Sequence, residues 1–260
     1  MRIMTTNIRG DYFHNPVNVR EQNVFRAYQD YSPDVIGLQE VTPGWYQSNL
    51  FPWLMKDYFL VGTEMAESRN YVPMAVRKNY ILVAKGYEPF ADTPDVSKGV
   101  TWAVIKHEEN QKLFGVCNVH FWWKQGTAAH DTLRAKNAQQ LTEVMKYIAG
   151  RFQCPVFAFG DMNCVRASQV FGVVYAINGV TSLMDMTDQK DTVCTIHGNP
   201  VADSEGNYHG EKTMLDHTAS IDHILAMGEK FKVLQYRVVE DQYALDASDH
   251  SPVYADVELL

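Results

Sequence analysis

Near the end of the chain, Ser248-Asp249-His250-Ser251-Pro252-Val253 places a carboxylate beside an imidazole, just ahead of an apolar run. Three further acid or amide clusters lie upstream, at Asn7, at Gln39-Glu40 and at Gly160-Asp161-Met162-Asn163. Carboxylates and amides are hard oxygen ligands, suited to Mg²⁺ or Mn²⁺ rather than to zinc. Mg²⁺ takes only one or two protein carboxylates and leaves its other positions to water and substrate phosphate. Glu40 is the expected principal ligand, with Asn7 and Asp249 completing or bracing the site. Asp161 can act as general base toward a water molecule, and the Asn163 amide can orient a phosphoryl oxygen. His250 needs a partner to hold its tautomer. Asp222, within the apolar Ser220-Ile221-Asp222-His223-Ile224-Leu225, is costly to bury unless paired and is that partner. Such a dyad would stabilise charge developing on a transferring phosphoryl group. His120, closing the apolar run 114–119, is a second imidazole for the phosphate. Each cluster also has a plainer reading: Glu40 as a solvated loop carboxylate, Gly160 to Asn163 as a turn, His120 as a structural histidine. No pair of histidines has HExxH spacing, which argues against a zinc hydrolase.

Asn7, Glu40 and Asp161 each stand at the carboxyl end of a short apolar run bounded by turn residues, the pattern of a buried strand. Ligands gather at the carboxyl ends of strands in α/β sheets. Between these strands, Val24, Tyr28 and Tyr31 have helical spacing, stopped at Ser32-Pro33. Residues 45–55 read as helical with Pro52 as a local break. Closely spaced strands follow at 58–61, 72–77, 80–84, 101–106 and 113–120, the mark of a β-meander or hairpin series. The longest helix is expected over 127–149, with Leu133, Ala138, Leu141, Val144, Met145 and Ile148 on its apolar face and Gly150 ending it. Residues 193–218 read as a long surface loop, and strands resume at 220–227, 232–239 and 252–258. No repeat or linker interrupts the pattern. Because clusters from Asn7 to His250 must meet in one place, residues 1–260 are expected to form a single domain.

The chain has 260 residues, 46% hydrophobic and 21% charged, with a net charge of −8 and a pI of about 5.6. A protein gripping long nucleic acid carries a basic stripe, since phosphate contacts supply most of its affinity. Here the basic residues are scattered. The balance favours a small phosphoester, with short nucleic acid as the alternative and metal supplying the positive charge. The four cysteines, Cys117, Cys154, Cys164 and Cys194, have no CxxC spacing and are expected to be buried thiols. Without a signal-peptide pattern or a bilayer-length apolar run, a soluble monomer is expected, the cytoplasm being favoured and secretion left open by a removed leader. No amphipathic or membrane-inserting loop is apparent.

Taken together, Asn7, Gln39-Glu40, Asn118-Val119-His120, Gly160-Asp161-Met162-Asn163, Ser220-Ile221-Asp222-His223-Ile224 and Ser248-Asp249-His250-Ser251-Pro252-Val253 resemble the endonuclease/exonuclease/phosphatase superfamily. That superfamily includes deoxyribonuclease I-like nucleases, apurinic endonucleases, bacterial sphingomyelinases, deadenylases and inositol-polyphosphate 5-phosphatases. The motifs arrive in the family's order along nearly the whole chain. The resemblance implies an α/β fold, a four-layer α/β/β/α sandwich of two mixed β-sheets packed face to face and flanked by helices. It also implies Mg²⁺-dependent, in-line hydrolysis of a phosphodiester or phosphomonoester without a covalent intermediate. By position, Glu40 resembles the principal metal ligand with Asn7 and Asp249 nearby, Asp161 the water-activating base and Asn163 its orienting partner. His250 with Asp222 resembles the dyad on the scissile phosphate, and His120 a further phosphate contact. Thr195-Ile196-His197-Gly198 resembles the family's Thr-Phe-His-Gly segment.

Two departures bear on function. Arg9 stands where apurinic endonucleases carry an aspartate, so that carboxylate is missing. After His120 comes Phe121-Trp122-Trp123-Lys124, with adjacent tryptophans beside the site. One of them is expected to pack under the long helix, leaving the other to stack on a base, a sugar face or a lipid headgroup. A catalytically silent binding module would predict a broken position among Glu40, Asp161, Asn163, Asp222, Asp249 and His250, and none is broken. Substrate choice is assigned to the loops 9–18, 65–71, 121–130 and 193–218.

Overall fold

The computed structural model describes residues 1–12, 15–63 and 70–260. Most of the loop 65–71 and two residues of the loop 9–18 therefore lie outside the described residues. The chain runs β1 (Arg2–Asn7), α1 (Glu21–Tyr31), β2 (Val35–Gln39), α2 (Pro43–Tyr46), α3 (Leu50–Leu54), β3 (Tyr58–Val61), β4 (Met74–Arg77), β5 (Tyr80–Pro89), β6 (Gly99–His107) and β7 (Leu113–His120). It continues through α4 (Ala128–Phe152), β8 (Val156–Asp161), β9 (Val180–Ser182), β10 (Val201–Ala202), β11 (Tyr208–His209), β12 (Asp222–Met227), β13 (Phe231–Val238), α5 (Gln242–Ala247) and β14 (Val253–Leu259).

Two six-stranded sheets result, in the orders β13-β14-β1-β2-β4-β3 and β5-β6-β7-β8-β12-β9. Each is mixed, with one parallel pair at its centre joined by a helical crossover: β1 and β2 through α1, β7 and β8 through α4. The other pairings are antiparallel. The central strands β2 and β8 are buried throughout and β1 from Ile3 onward, which explains why they read as apolar runs rather than as an alternation. Ile3, Val35, Phe114, Val116, Phe157, Phe159, Ile224 and Val253 fill the space between the sheets. A second apolar layer joins the outer face of β6, β7 and β8 to Ala138, Leu141, Met145 and Ile148 of α4. A third joins Met4, Ile36 and Leu38 to Val24, Ala27 and Tyr28 of α1 and to Leu50 and Leu54 of α3. The expected α/β/β/α sandwich is the observed architecture.

The sheets approach closely beneath their carboxyl edge. A Cβ on Gly37 of β2 would lie 2.4 Å from the Phe159 ring of β8, so only glycine admits that contact. Beside it, the Asn118 amide of β7 donates to the carbonyls of Leu38, Val72 and Pro73 at 2.8, 3.0 and 2.9 Å. Gln39 donates to Asn118 Oδ1 at 2.6 Å and to Thr5 Oγ1 at 3.0 Å. This buried network ties one sheet to the other and accounts for the polar Gln39 in an otherwise apolar strand.

Local details differ from the sequence expectations. α4 runs past Gly150 and ends where Gln153 adopts φ 52°, its N–H bonded to the Ala149 carbonyl, with Pro155 beyond it. Thr127 caps its start by accepting from the His130 N–H. Residues 45–55 hold two short helices broken around residues 47–49, not at Pro52, because proline fits the first turn of α3 without losing a hydrogen bond. The 193–218 loop contains the β10–β11 hairpin. α5 and β9 were not foreseen: each is too short to display a period. All four cysteines are buried and free, as expected.

Candidate active site

β1, β2, β7 and β8 end at one edge of the sandwich, where the antiparallel β12 and β14 begin. Asp161, last residue of β8, is almost fully buried where these ends converge. Its Oδ2 accepts from Asn7 Nδ2 at 3.0 Å, lies 3.3 Å from His120 Nε2 and stands 3.9 Å from His250 Nε2. Its Oδ1 accepts from the Asn163 N–H at 2.9 Å. Burial alone would raise this carboxyl. His120, His250 and Lys98 outweigh it and hold Asp161 well below the usual carboxylate range.

Glu40 follows β2 in the left-handed region, at φ 59°. Its Oε1 accepts from Asn7 Nδ2 at 3.2 Å and its Oε2 from the Gly10 N–H at 2.8 Å. Burial again opposes ionisation, but His120, the Gly10 N–H, Lys98 and the Asn7 amide keep its pKa below the ordinary value. Asn7 therefore braces two carboxylates with its amide nitrogen, while its oxygen accepts from the Arg9 N–H at 3.0 Å.

His250 Nδ1 lies 2.8 Å from Asp222 Oδ2, and the Thr195 hydroxyl donates to that same oxygen at 2.7 Å. Burial pulls His250 down and pushes Asp222 up, toward a neutral pair. The ring nevertheless faces the carboxylates of Asp222, Asp161 and Asp249, which raise His250 well above its usual value, so the dyad is an ion pair. Thr195 reaches Asp222 because the start of the 193–218 loop runs antiparallel to the segment before β14: Ile196 bridges to His250, and the Ser251 N–H donates to the Thr195 carbonyl at 2.7 Å.

An open cleft of about 730 Å³ covers this edge, lined by Arg9, Tyr12, Glu40, Tyr71, Asp95, Lys98, His120, Trp123, Asn199 and Asp249 among others. Of the sequence candidates, Glu40, His120 and Asp249 reach the cleft wall, while Asn7, Asp161, Asn163, Asp222 and His250 stand behind it. Asn163, at φ 50°, turns its amide to the Phe121 carbonyl at 3.2 Å. Gly160 is not part of a turn: it pairs within β8, and at φ 147° a Cβ there would sit 1.9 Å from the Val119 carbonyl oxygen. Trp122 is buried, its backbone N–H donating to Asn137 Oδ1 of α4 at 3.0 Å, whereas Trp123 is 52% exposed on the cleft wall. The two tryptophans divide as expected.

Glu40, His120 and Asp161 offer ligand atoms within 4.8 Å of one another, as do Asp161, Asp222 and His250. The first group suits a divalent cation: Glu40 is kept ionised, supplies a hard oxygen and opens to the cleft, where water or phosphate could fill the remaining positions. A second depression, of about 580 Å³, lies at the far end near Met1, Tyr80 and Lys112 and has no such cluster among the described residues.

Two residues escaped the sequence reading. Arg20 is fully buried and donates to the carbonyls of Ile8, Ala247, Arg9 and Pro16 at 2.9, 2.6, 2.9 and 3.2 Å. It thereby ties the loop after β1 to the segment before Asp249. Burial, with Arg9 nearby, pulls its pKa down to about 10. Lys98 is 5% exposed and sets Nζ 2.9 and 3.1 Å from the two His120 ring nitrogens. Burial lowers it, and Glu40, Asp95 and Asp161 partly offset that. Thr195 lay within the Thr195-Ile196-His197-Gly198 segment already singled out, and what the fold adds is its contact with Asp222. Nothing in the local sequence marks Arg20 or Lys98 except a charge beside buried strand residues.

Comparison with known proteins agrees with this geometry. The sequence profile of the endonuclease/exonuclease/phosphatase family matches residues 4–250. No curated protein matches the sequence. An endonuclease/exonuclease/phosphatase from Bacteroides vulgatus superposes with a TM-score of 0.77 at 23% identity, covering 100% of this chain and 98% of that one. A mannosyl-6-phosphatase from Bacteroides thetaiotaomicron gives 0.75 at 19% identity, with 100% of both chains covered. TDP2 from D. rerio, solved with a single-strand DNA product, gives 0.72 at 16% identity over 99% of this chain and 98% of that one.

Proposed function

The chain belongs to the endonuclease/exonuclease/phosphatase family, and from that premise we propose that it is a divalent-metal-dependent phosphoesterase hydrolysing its substrate by in-line attack of water. Residues 1–260 are read as one catalytic domain. The observation that carries the reading is Asp161: a buried, ionised carboxylate ringed by Asn7, His120 and His250 and adjacent to Glu40 beneath an open cleft.

Glu40 would hold the cation, Mg²⁺ or Mn²⁺, with His120 and Asp161 close by and Asn7 bracing the carboxylates. When bound, the ion polarises the phosphoryl oxygens and neutralises their charge. Asp161 is the base, because it is ionised and has a proton-accepting oxygen where the strand ends meet. Asn163 fixes the Asp161 side chain through its N–H. The His250 imidazolium, held by Asp222 and Thr195, stabilises charge on the phosphoryl group. Asp249, on the cleft wall, would add a further carboxylate to that cleft. The oxygen of water bonds to phosphorus as the bond to the leaving alcohol breaks. One water proton passes to Asp161, and the departing oxygen takes up a proton from solvent in the cleft.

A net charge of −8 supports a small phosphoester over long nucleic acid. The fold serves both kinds of substrate among its neighbours, a sugar phosphatase and a protein holding single-strand DNA. Exposed Trp123 on the cleft wall favours a second reading, cleavage of short single strands by base stacking. The test is turnover of phosphomonoesters, phosphodiesters and oligonucleotides with Mg²⁺, Mn²⁺ or EDTA, with Glu40→Ala alongside. We expect metal-dependent release from a small ester and loss of at least about 100-fold in Glu40→Ala. Equal rates in EDTA, or in the folded variant, would remove the mechanism.

A further inference from the structure

Two cations in the cleft have been given no contact with substrate above. Arg9 follows β1, and its backbone is pinned by its carbonyl, which accepts from Trp45 Nε1 and Arg20 Nη2, each at 2.9 Å. Its side chain lines the cleft, yet Nη1 is buried without a hydrogen-bond partner. It forms no ion pair among the described residues, although Glu40, Asp95 and Asp249 line the same cleft. A buried guanidinium N–H with nothing to accept from it is unfavourable, and a bound oxyanion removes that cost. Lys98 enters from the start of β6, buried, and points its ammonium at His120 in the cleft wall.

Resting on the phosphoesterase reading, we propose that Arg9 and Lys98 grip the terminal oxygens of a phosphomonoester dianion, which makes the protein a phosphomonoesterase rather than a phosphodiesterase. The chemistry of the two substrate classes separates them. A diester has two non-bridging oxygens and a single negative charge, which His250 and a cation held at Glu40 would suffice to meet. A monoester carries a third terminal oxygen and a second charge, and it is that oxygen for which Arg9 and Lys98 provide donors. Arginine offers a planar fork matched to phosphate and stays charged in any such site. The products are then inorganic phosphate and a free alcohol, whose carbon skeleton would lie against the exposed Tyr12 and Trp123 at the cleft rim.

The test compares p-nitrophenyl phosphate with methyl p-nitrophenyl phosphate, which share a leaving group, and measures binding of inorganic phosphate by calorimetry with and without Mg²⁺. Wild-type protein should prefer the monoester by at least about tenfold in kcat/KM. Arg9→Gln and Lys98→Met should each cut the monoester-to-diester ratio and weaken phosphate binding by about tenfold, the expected effect of one lost charge-assisted contact. Lys98→Arg should restore part of both. Arg9 is partly exposed, so its variant keeps the test open should Lys98→Met fail to fold. A wild-type preference for the diester, or an unchanged ratio and unchanged phosphate affinity in folded Arg9→Gln, would overturn the proposal. Phosphate binding that depends on Arg9, without turnover of either ester, would instead sink the hydrolase reading and leave the anion grip standing.

Discussion

Asp161 gathers hydrogen bonds or charge from Asn7, Asn163, His120 and His250, so its ionised form is built into the fold rather than borrowed from solvent. Replacing it with asparagine keeps the shape and removes the proposed base, and kcat/KM should fall by about 10² to 10⁴ with little change in far-ultraviolet circular dichroism. A full-rate Asp161→Asn protein would place the base elsewhere. The dyad makes a separate prediction in pH. His250 is raised above its unfolded value, so its ion pair stabilises fully below that value and the contribution is lost as pH rises through the folded one. Turnover should therefore decline on the alkaline side as the imidazolium is lost, and His250→Gln should flatten that limb of the pH–rate profile. The acid limb belongs to Glu40 and Asp161, whose lowered values keep them charged until pH falls well under the carboxylate norm. At this scale the sequence was highly informative. Each candidate from Asn7 to His250 announced itself by polar chemistry next to an apolar run. Arg9 stood out in sequence only as the residue found where apurinic endonucleases carry an aspartate, and its buried, unpartnered Nη1 exists only in the folded loop.

Between the strand ends, the connecting segments decide which way each side chain faces. Arg20 is the clearest case, since one fully buried guanidinium donates to five carbonyls spread from Ile8 to Ala247. Arg20→Met would orphan those carbonyls and should lower stability by at least about 3 kcal/mol in denaturant titrations. It should also impair turnover, because Arg9 and the approach to Asp249 lose their shared anchor. A variant as stable and as active as wild type would refute that role. Helices α1 and α4 were legible because their periods and stop signals extend over several turns. α5 and β9 were not, since six and three residues carry no period. The end of α4 was misplaced for a related reason. Gly150 is a competent stop signal, but the left-handed Gln153 and the following Pro155 prevail once the helix packs against β7 and β8.

Across the whole molecule, two sheets meeting face to face convert six separate motifs into one site, and the same burial sets the protein's acid tolerance. His223, on β12 one residue from the dyad, is fully buried, donates Nε2–H to the Cys164 carbonyl at 2.9 Å and packs edge-on to Phe171. Burial pulls its pKa down to about 4 from 6.5. A lowered histidine stabilises the fold above its unfolded value, and this contribution is lost as pH falls from about 6.5 toward 4. The loss amounts to about 3 kcal/mol at the acid end. Melting temperature should drop across that window, and His223→Gln, which keeps a donor but cannot titrate, should flatten the drop. An identical slope in the variant would assign acid sensitivity to other groups.

What the amino-acid sequence determined unaided is the set of polar groups and their order: hard-oxygen carboxylates and amides, and an imidazole with its acid, each following or opening a strand. Those features are local, because a strand end is specified by the few residues around it. Only the tertiary structure decided that Glu40, His120 and Asp249 form the cleft wall while Asp161, Asp222 and His250 stand behind it. It alone showed Arg20 tying Ile8 to Ala247 and Lys98 set against His120. These are contacts between residues far apart in the chain, created when apolar faces with no sequence relation to one another are driven together, and no local pattern encodes which polar side chains that packing brings within 3 Å.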